Sequence, residues 1–159
     1  MKRRERGFTL LEVLVVTLII AVLAGSVLLS GGLAGPEEKA RQERLVLAQL
    51  INQHCEEALL FGSFGGVRLE PDGYGFFWWR DEGWEPRRER LFQFRVIDPS
   101  LVLEFKLDLA PSDDPAAPQV LCDAAGEITP FRAAVVAAPK RFPLEVDDRG
   151  RVIVAGAAP

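Results

Sequence analysis

The sequence is poor in the residues from which metal and catalytic sites are usually built. It contains two cysteines and one histidine, His54, among 159 residues. Two cysteines exclude a disulfide-dense scaffold and any site that needs four thiolates. A single histidine argues against histidine-rich metal sites and against a serine–histidine–aspartate triad. We therefore expect no catalytic residue, no metal site and no cofactor, and a stand-alone enzyme is disfavoured.

The chain also lacks an excess of basic residues. Its 19 lysines and arginines are outnumbered by 23 aspartates and glutamates, which gives a net charge of −4. Proteins that bind nucleic acids usually show a basic excess or a basic stripe. A nucleic-acid partner is therefore disfavoured.

The N-terminus combines a basic segment with a long apolar run. Residues 1–7 (MKRRERG) carry four basic side chains and one glutamate, and residues 8–29 contain a single charge, Glu12. A bilayer core of about 30 Å requires roughly 20 apolar residues in a helix. The run is longer than the apolar region of a secretory signal, and the basic flank precedes it. We predict a membrane-spanning helix over Phe8–Leu29 with its N-terminus in the cytoplasm.

Glu12 is unusual, because a carboxylate within a spanning helix costs on the order of 3 kcal/mol. One explanation is that it lies near the helix end and reaches the lipid headgroups. The other explanation comes from its neighbours, since a basic leader, Gly7, Phe8, Thr9 and two leucines precede it. This pattern strongly resembles the class III signal of type IV pilins and type II secretion pseudopilins.

The resemblance implies a processing site and an assembly residue. In that family a membrane-embedded peptidase cuts after the glycine and methylates the new amine, which here means cleavage between Gly7 and Phe8 and N-methylation of Phe8. Glu12 would pair with a terminal ammonium group between adjacent helices, where each charge offsets the cost of the other. It would thereby set the axial stagger of a filament.

Glycine and proline interrupt the helical pattern after the apolar run, at 31–32 and 35–36. A second, amphipathic helix is predicted to end near Gly62, and its packing face recurs at spacings of three and four: Leu47, Leu50, Ile51, His54, Ala58 and Phe61. The two helices are either independent or one pilin stem softened in the middle, and the stem is favoured. The predicted divisions are a leader at 1–7, a transmembrane stem helix at 8–30, a hinge with a periplasmic amphipathic helix at 31–62, and a β-rich head at 63–159.

From residue 63 the pattern changes to short strands between turn residues. Strands are predicted at 67–70, 74–80, 91–97, 101–109, 120–122, 128–138, 142–146 and 151–154, with a loop at 110–118. Their close spacing predicts an antiparallel sheet or a small sandwich. The predicted fold class is α+β, with a long N-terminal pilin stem helix, transmembrane in its first half, packed on an antiparallel β head.

Three segments of the predicted head narrow the resemblance to one domain family. Residues 70–77 (EPDGYGFF), 124–133 (AAGEITPFRA) and 147–154 (DDRGRVIV) look like the GspH/FimT domain of H-type minor pseudopilins. The resemblance implies a structural subunit at or just below the tip of the type II secretion pseudopilus, which helps to push folded proteins through the outer-membrane secretin. The alternative is a FimT- or FimU-type minor pilin that primes a type IV pilus or serves DNA uptake.

The same resemblance implies partners and a location. The partners are the major pseudopilin G, the minor pseudopilins I, J and K, the prepilin peptidase and the inner-membrane secretion platform. The chain would cross the bacterial inner membrane once, with a cytoplasmic N-terminus and a periplasmic head, and would assemble into a periplasmic pseudopilus.

The aromatic residues of the second predicted strand alternate between two faces. Tyr74, Phe76 and Trp78 share one face, and Phe77 and Trp79 share the other. An exposed group of Phe77, Trp79 and Trp84 would serve as a partner interface. The alternative, which is favoured, is that the stem helix covers one face and a second sheet covers the other.

The remaining candidate sites have simpler explanations. Cys55 and Cys122 could form one disulfide, but two free buried cysteines are the favoured alternative. Adjacent helical residues such as His54 and Cys55 point in different directions, so they are not expected to share a metal. The basic residues near Arg87 alternate with glutamates and are predicted to form a solvated face.

Overall fold

The computed structural model describes residues 10–30, 35–107 and 117–154. These residues contain two helices, α1 (Leu10–Ser30) and α2 (Pro36–Phe61). They also contain nine strands: β1 (Gly65–Glu70), β2 (Gly73–Arg80), β3 (Gly83–Pro86), β4 (Arg95–Val96), β5 (Val102–Leu107), β6 (Val120–Cys122), β7 (Phe131–Ala137), β8 (Lys140–Val146) and β9 (Val152–Val154). The chain divides into two compact units, Met1–Gly35 and Pro36–Pro159, and we call the second the head unit.

Helix α1 is almost entirely apolar. Its one acidic residue, Glu12, lies in the first turn. The Thr17 hydroxyl donates to the carbonyl oxygens of Val13 and Leu14, at 3.0 Å each, so this polar side chain is satisfied within its own helix. Within the described residues, no helix meets both the length and the hydropathy required to cross a membrane.

Helix α2 begins and ends close to the predicted positions. Pro36 occupies the first turn, where its missing N–H is not required, and Glu37 and Glu38 follow at the positive end of the helix dipole. The predicted packing face is buried at Leu47, Leu50, Ile51, His54 and Ala58. Phe61 is the exception: this last helical residue is 70% exposed.

The strands form two antiparallel sheets. The first sheet has the order β3-β2-β1-β6, with β4 also paired to β2, and the second has the order β5-β7-β8-β9. Helix α2 packs on both sheets. It contacts β1 and β6 of the first sheet and β7, β8 and β9 of the second, and these contacts form one hydrophobic core. The predicted α+β class, with a helix followed by antiparallel sheets, is confirmed.

The predicted strand at 91–97 is wrong over most of its length. Only Arg95–Val96 pairs, with β2, while the preceding residues form turns. The alternation of Phe92 and Phe94 has a different cause, since Phe92 is buried in the core and Phe94 lies over Gly73 on β2. The short strand β3 was not predicted from the sequence, and most of the predicted loop at 110–118 lies outside the described residues.

Side chains of α2 fasten the helix to both sheets. The Asn52 side-chain amide donates to the Val152 carbonyl and accepts from the Val152 N–H, both at 2.8 Å, and so completes the backbone bonding of β9. The Glu43 carboxylate accepts from the Tyr74 hydroxyl at 2.7 Å and from the Arg95 guanidinium at 2.7 and 3.0 Å. Burial raises the pKa of Glu43, but these hydrogen bonds outweigh burial and lower the pKa below its ordinary value.

Candidate functional site

The predicted processing residues, Gly7 and Phe8, lie outside the described residues. Glu12 is described, and its side chain is exposed on the first turn of α1. The apolar side chains that follow Glu12 are exposed as well, among them Leu14, at 57%, and Ile20, at 59%. An apolar helix of this kind can bury its surface against other helices or in lipid.

A tight turn positions the aromatic pair Trp79 and Trp84. Strands β2 and β3 are joined by Asp81 and Glu82 alone, whose φ angles of 47° and 67° match the left-handed turn that suits the twist of a hairpin. The register then sets Trp79 opposite Trp84, with ring centroids 5.3 Å apart in an edge-to-face arrangement. Trp79 is 43% exposed, so this pair offers an apolar surface to solvent.

Phe77 does not belong to that exposed surface. It is 7% exposed, and the Arg68 guanidinium lies 4.9 Å over its ring. Gly66, which pairs with Phe77 across the sheet, is covered by Pro118 and Trp84. A Cβ atom at Gly66 would lie 2.5 Å from Pro118 and 2.8 Å from Trp84. Of the three residues considered as an exposed interface, Phe77 is therefore buried, and Trp79 and Trp84 remain as the candidate surface. Tyr74, Phe76 and Trp78 occupy the core face.

Cys55 and Cys122 form a disulfide in the structure, with Cα atoms 5.1 Å apart. The bond joins α2 to β6, and both cysteines are buried. The favoured expectation of two free cysteines was wrong, because the sequence does not reveal that β6 packs against the last turns of α2.

A buried polar cluster at the disulfide-bonded end of α2 was not predicted. It consists of His54, Arg87 and Glu57. His54 Nδ1 lies 3.0 Å from Arg87 Nη1, and His54 Nε2 lies 3.1 Å from the Phe77 carbonyl oxygen. A guanidinium group can only donate, so Nδ1 accepts and Nε2–H donates to Phe77. His54 is thus a neutral imidazole with both nitrogens satisfied.

Arg87 is almost completely buried rather than solvated, and this corrects the predicted charged face. Its side chain is 4% exposed and forms an ion pair with Glu57 at 2.8 Å. Its guanidinium also lies 3.6 Å over the Phe92 ring and 4.9 Å over the Trp78 ring. These ring contacts and the Glu57 carboxylate offset the cost of burying the charge.

Burial, followed by the adjacent Arg87 charge, lowers the pKa of His54 to about 4. The hydrogen bond to Phe77 opposes this shift but does not overcome it. Through the contacts of His54 with Phe77 and Arg87, the cluster joins α2 to the first sheet and has a structural role. Among the described residues, no group of three histidine, cysteine or acidic side chains is arranged to hold a metal.

The architecture defines the class of protein. The structure resembles that of the minor pseudopilin EpsH from the type 2 secretion system of Vibrio cholerae, with a TM-score of 0.65 and 22% identity over 76% of this chain and 98% of that one. At this identity the likeness shows the fold, which is the α+β pilin-like fold.

Sequence relatives give the family. The chain is 34% identical to type II secretion system protein H of Pseudomonas aeruginosa over 142 residues, which cover 82% of each protein. It is 33% identical to type II secretion system protein H of Klebsiella pneumoniae, over 86% of this chain and 89% of the relative. Residues 2–28 match the prokaryotic N-terminal methylation motif. The chain belongs to the type II secretion system protein H family, as the predicted resemblance implied.

Proposed function

We propose that this chain is a minor pseudopilin, a structural subunit at or just below the tip of the type II secretion pseudopilus. In this position it helps to push folded proteins through the outer-membrane secretin. The observation that carries the proposal is the match to protein H of Pseudomonas aeruginosa, which extends over 82% of both chains. The partners proposed with it are the major pseudopilin G, the minor pseudopilins I, J and K, the prepilin peptidase and the inner-membrane platform.

The proposed location is the bacterial inner membrane, with a cytoplasmic N-terminus, a single span at Phe8–Leu29 and a periplasmic head. The apolar composition of α1 and the basic residues that precede it support this orientation. The Cys55–Cys122 disulfide supports a periplasmic head, because disulfides persist in oxidising compartments.

The proposed processing site is the Gly7–Phe8 bond, with N-methylation of Phe8, and the match to the methylation motif at 2–28 supports it. The proposed assembly residue is Glu12, since its carboxylate is exposed on an apolar helix that a filament would bury. Pairing with a terminal ammonium group of a neighbouring subunit would offset the cost of that burial.

The proposed partner interface is the aromatic pair, Trp79 and Trp84. Large, partly exposed aromatic residues commonly carry a disproportionate share of binding energy at protein interfaces. The two-residue turn fixes the register that sets Trp79 opposite Trp84, and a preformed arrangement reduces the entropy lost on binding.

The test is a pull-down of the head unit, residues 36–159, against the soluble heads of pseudopilins I, J and K and against double-stranded DNA. We expect binding to the I–J–K complex and a loss of roughly tenfold or more in affinity for Trp79→Ala. Ile153→Ala is the matched control, because Ile153 is 41% exposed on the second sheet. Binding to DNA without binding to the complex would instead favour the DNA-uptake pilin.

A further inference from the structure

A groove on the second sheet combines an apolar floor with a basic rim. It is formed by β5, β7 and β8 together with Arg41 of α2. In a chain of net charge −4, five basic side chains line it: Arg41, Lys106, Arg132, Lys140 and Arg141. Glu104 and Glu145 also line the groove, so positive charge remains in excess. We call it the basic groove.

The register of the second sheet explains the shape of the basic groove. Ala134 on β7 lies between Glu104 on β5 and Pro143 on β8, and Lys106 lies beside Arg132 in the next row. Side chains two residues apart project from the same face, so both rows point the same way. Ala134 is the smallest side chain of its row, and its longer neighbours form the walls.

Ion pairs neutralise at least two of the five basic side chains that line the groove. Arg141 is paired with Glu104, and Lys140 Nζ lies 2.7 Å from Glu37 Oε2. The Arg41 and Arg44 guanidinium groups both lie over the Phe142 ring, at 5.7 and 5.8 Å. Burial, followed by the Arg41 charge, lowers the pKa of Arg44, which lies beside the groove.

The position of the groove on a sheet face restricts what it can bind. Strand β7 is paired with β5 on one side and β8 on the other, so its backbone groups are already bonded. Among the described strands, β5 has an unpaired edge, but backbone groups at a sheet edge point along the plane of the sheet and not into a groove on its face. An extended peptide that adds to a sheet requires an unpaired strand edge for its main-chain hydrogen bonds. The groove offers charge and apolar contact instead, which suits an anionic, amphipathic ligand.

The chain order indicates where such ligands are concentrated. Glu37, the partner of Lys140, is the second residue of α2, and residues 31–35 alone separate α2 from α1 along the sequence. We propose that the basic groove binds the headgroups of anionic phospholipids at the membrane in which α1 is anchored. Basic side chains near such a surface are attracted to it within the Debye length, about 8 Å at physiological salt.

The inference rests on the proposed function only through the membrane location of α1, and the head unit can be tested without α1. Among the described residues, its buried core extends from Ala40 to Val152, and its disulfide is internal, so we expect it to fold alone. The assay is sedimentation of this unit with vesicles of phosphatidylcholine alone or with one third phosphatidylglycerol. We expect binding roughly tenfold tighter to the anionic vesicles, and its loss in high salt.

The double variant Arg41→Glu/Lys106→Glu should lose this preference for anionic vesicles. Arg88→Glu/Arg149→Glu makes the same change in charge at exposed residues outside the groove and should retain it. Arg41→Gln/Lys106→Gln, a milder change, should bind with intermediate affinity, and circular dichroism checks that each variant is folded.

Equal binding to both kinds of vesicle, or equal loss in the control variant, would overturn the proposal. A fluorescent polyglutamate peptide provides the competing test. Groove-dependent binding of this peptide without binding to vesicles would assign the groove to an acidic protein partner and likewise overturn the lipid proposal. Neither result would affect the pull-down with pseudopilins I, J and K, so failure here is distinguishable from failure of the proposed function.

Discussion

At the scale of single residues, the head unit depends on a few polar side chains that the sequence does not reveal as buried. His54 lies on the predicted packing face of α2, yet its neutral state follows from contacts with Arg87 and Phe77, which are distant in the sequence. A histidine on an apolar face indicates burial but not its partners, because the register of β2 decides which carbonyl lies above it.

The depressed pKa of His54 predicts that the head unit loses stability in mild acid. The imidazole has a pKa of about 4 when folded and 6.5 ordinarily, so between these values the unfolded chain binds more protons. Stability is therefore present above pH 6.5 and is lost as the pH falls toward 4, by about 2 kcal/mol between pH 7 and 4.5. Urea denaturation across this range measures the loss.

His54→Gln is the companion variant, because an amide can also donate to Phe77 and accept from Arg87 without titrating. We expect it to be about 1 kcal/mol less stable at pH 7 but to depend less on pH. An unchanged slope in this variant would show that other groups cause the acid loss.

The His54 ring packs directly against Gly65. A Cβ atom there would lie 2.7 Å from His54 Nε2, and that ring is held at both nitrogens. Gly65→Ala should therefore destabilise the head unit by about 1–3 kcal/mol, measured by urea denaturation. Gly83→Ala is the control, because a Cβ atom at Gly83 meets no atom within 4 Å, and we expect a change below about 0.5 kcal/mol.

At the scale of elements, periodicity predicted most of the structure. The start and end of α2, its buried face and the hairpin of β1 and β2 follow from local spacing and turn residues. The segment at 91–97 misled because Phe92 and Phe94 alternate as in a strand, while each fills a separate site beside β2. Alternation in the sequence shows which side chains are apolar, but it does not show whether the backbone is paired in a sheet.

The disulfide is the element-scale contact that sequence could not decide. Pairing requires that Cys55 and Cys122, 67 residues apart, meet where α2 packs on β6.

Cys55→Ala/Cys122→Ala should lower the free energy of unfolding of the head unit by about 2–4 kcal/mol, because the bond restricts a long loop in the unfolded chain. Urea denaturation under oxidising conditions measures the effect. Reductant should lower the stability of the unsubstituted head unit and leave the double variant unchanged. If both respond equally to reductant, the disulfide is not the cause.

At the scale of the whole molecule, the N-terminal signal and the head act in one assembly. Family membership was predictable because the leader motif indicates the pilin and pseudopilin class and three head segments narrow it to the H type, and the relatives confirm it. The proposed partner interface was less predictable: of Phe77, Trp79 and Trp84, Phe77 is buried. Which side of an aromatic strand faces solvent depends on how the segments beyond it fold back, as Pro118 does over Gly66.

Glu12→Val tests the proposed assembly role in the full chain. We expect the variant to fractionate with membranes as before but to be incorporated into pseudopili several-fold less, measured by cross-linking to pseudopilin G. Thr17→Val is the control, because Thr17 bonds only within its own helix among the described contacts. Normal incorporation of Glu12→Val would refute the role.

The disulfide also determines how the head unit carries mechanical load. A pull along the chain enters at Pro36, runs through α2 to Cys55 and crosses the covalent bond to Cys122. The polypeptide between the two cysteines, which includes β1 to β5, lies outside this covalent path, so we expect it to be shielded from tension between the ends of the head unit. We expect such tension to act on strands β7, β8 and β9, which follow Cys122, and to leave the hairpin that carries Trp79 and Trp84 intact.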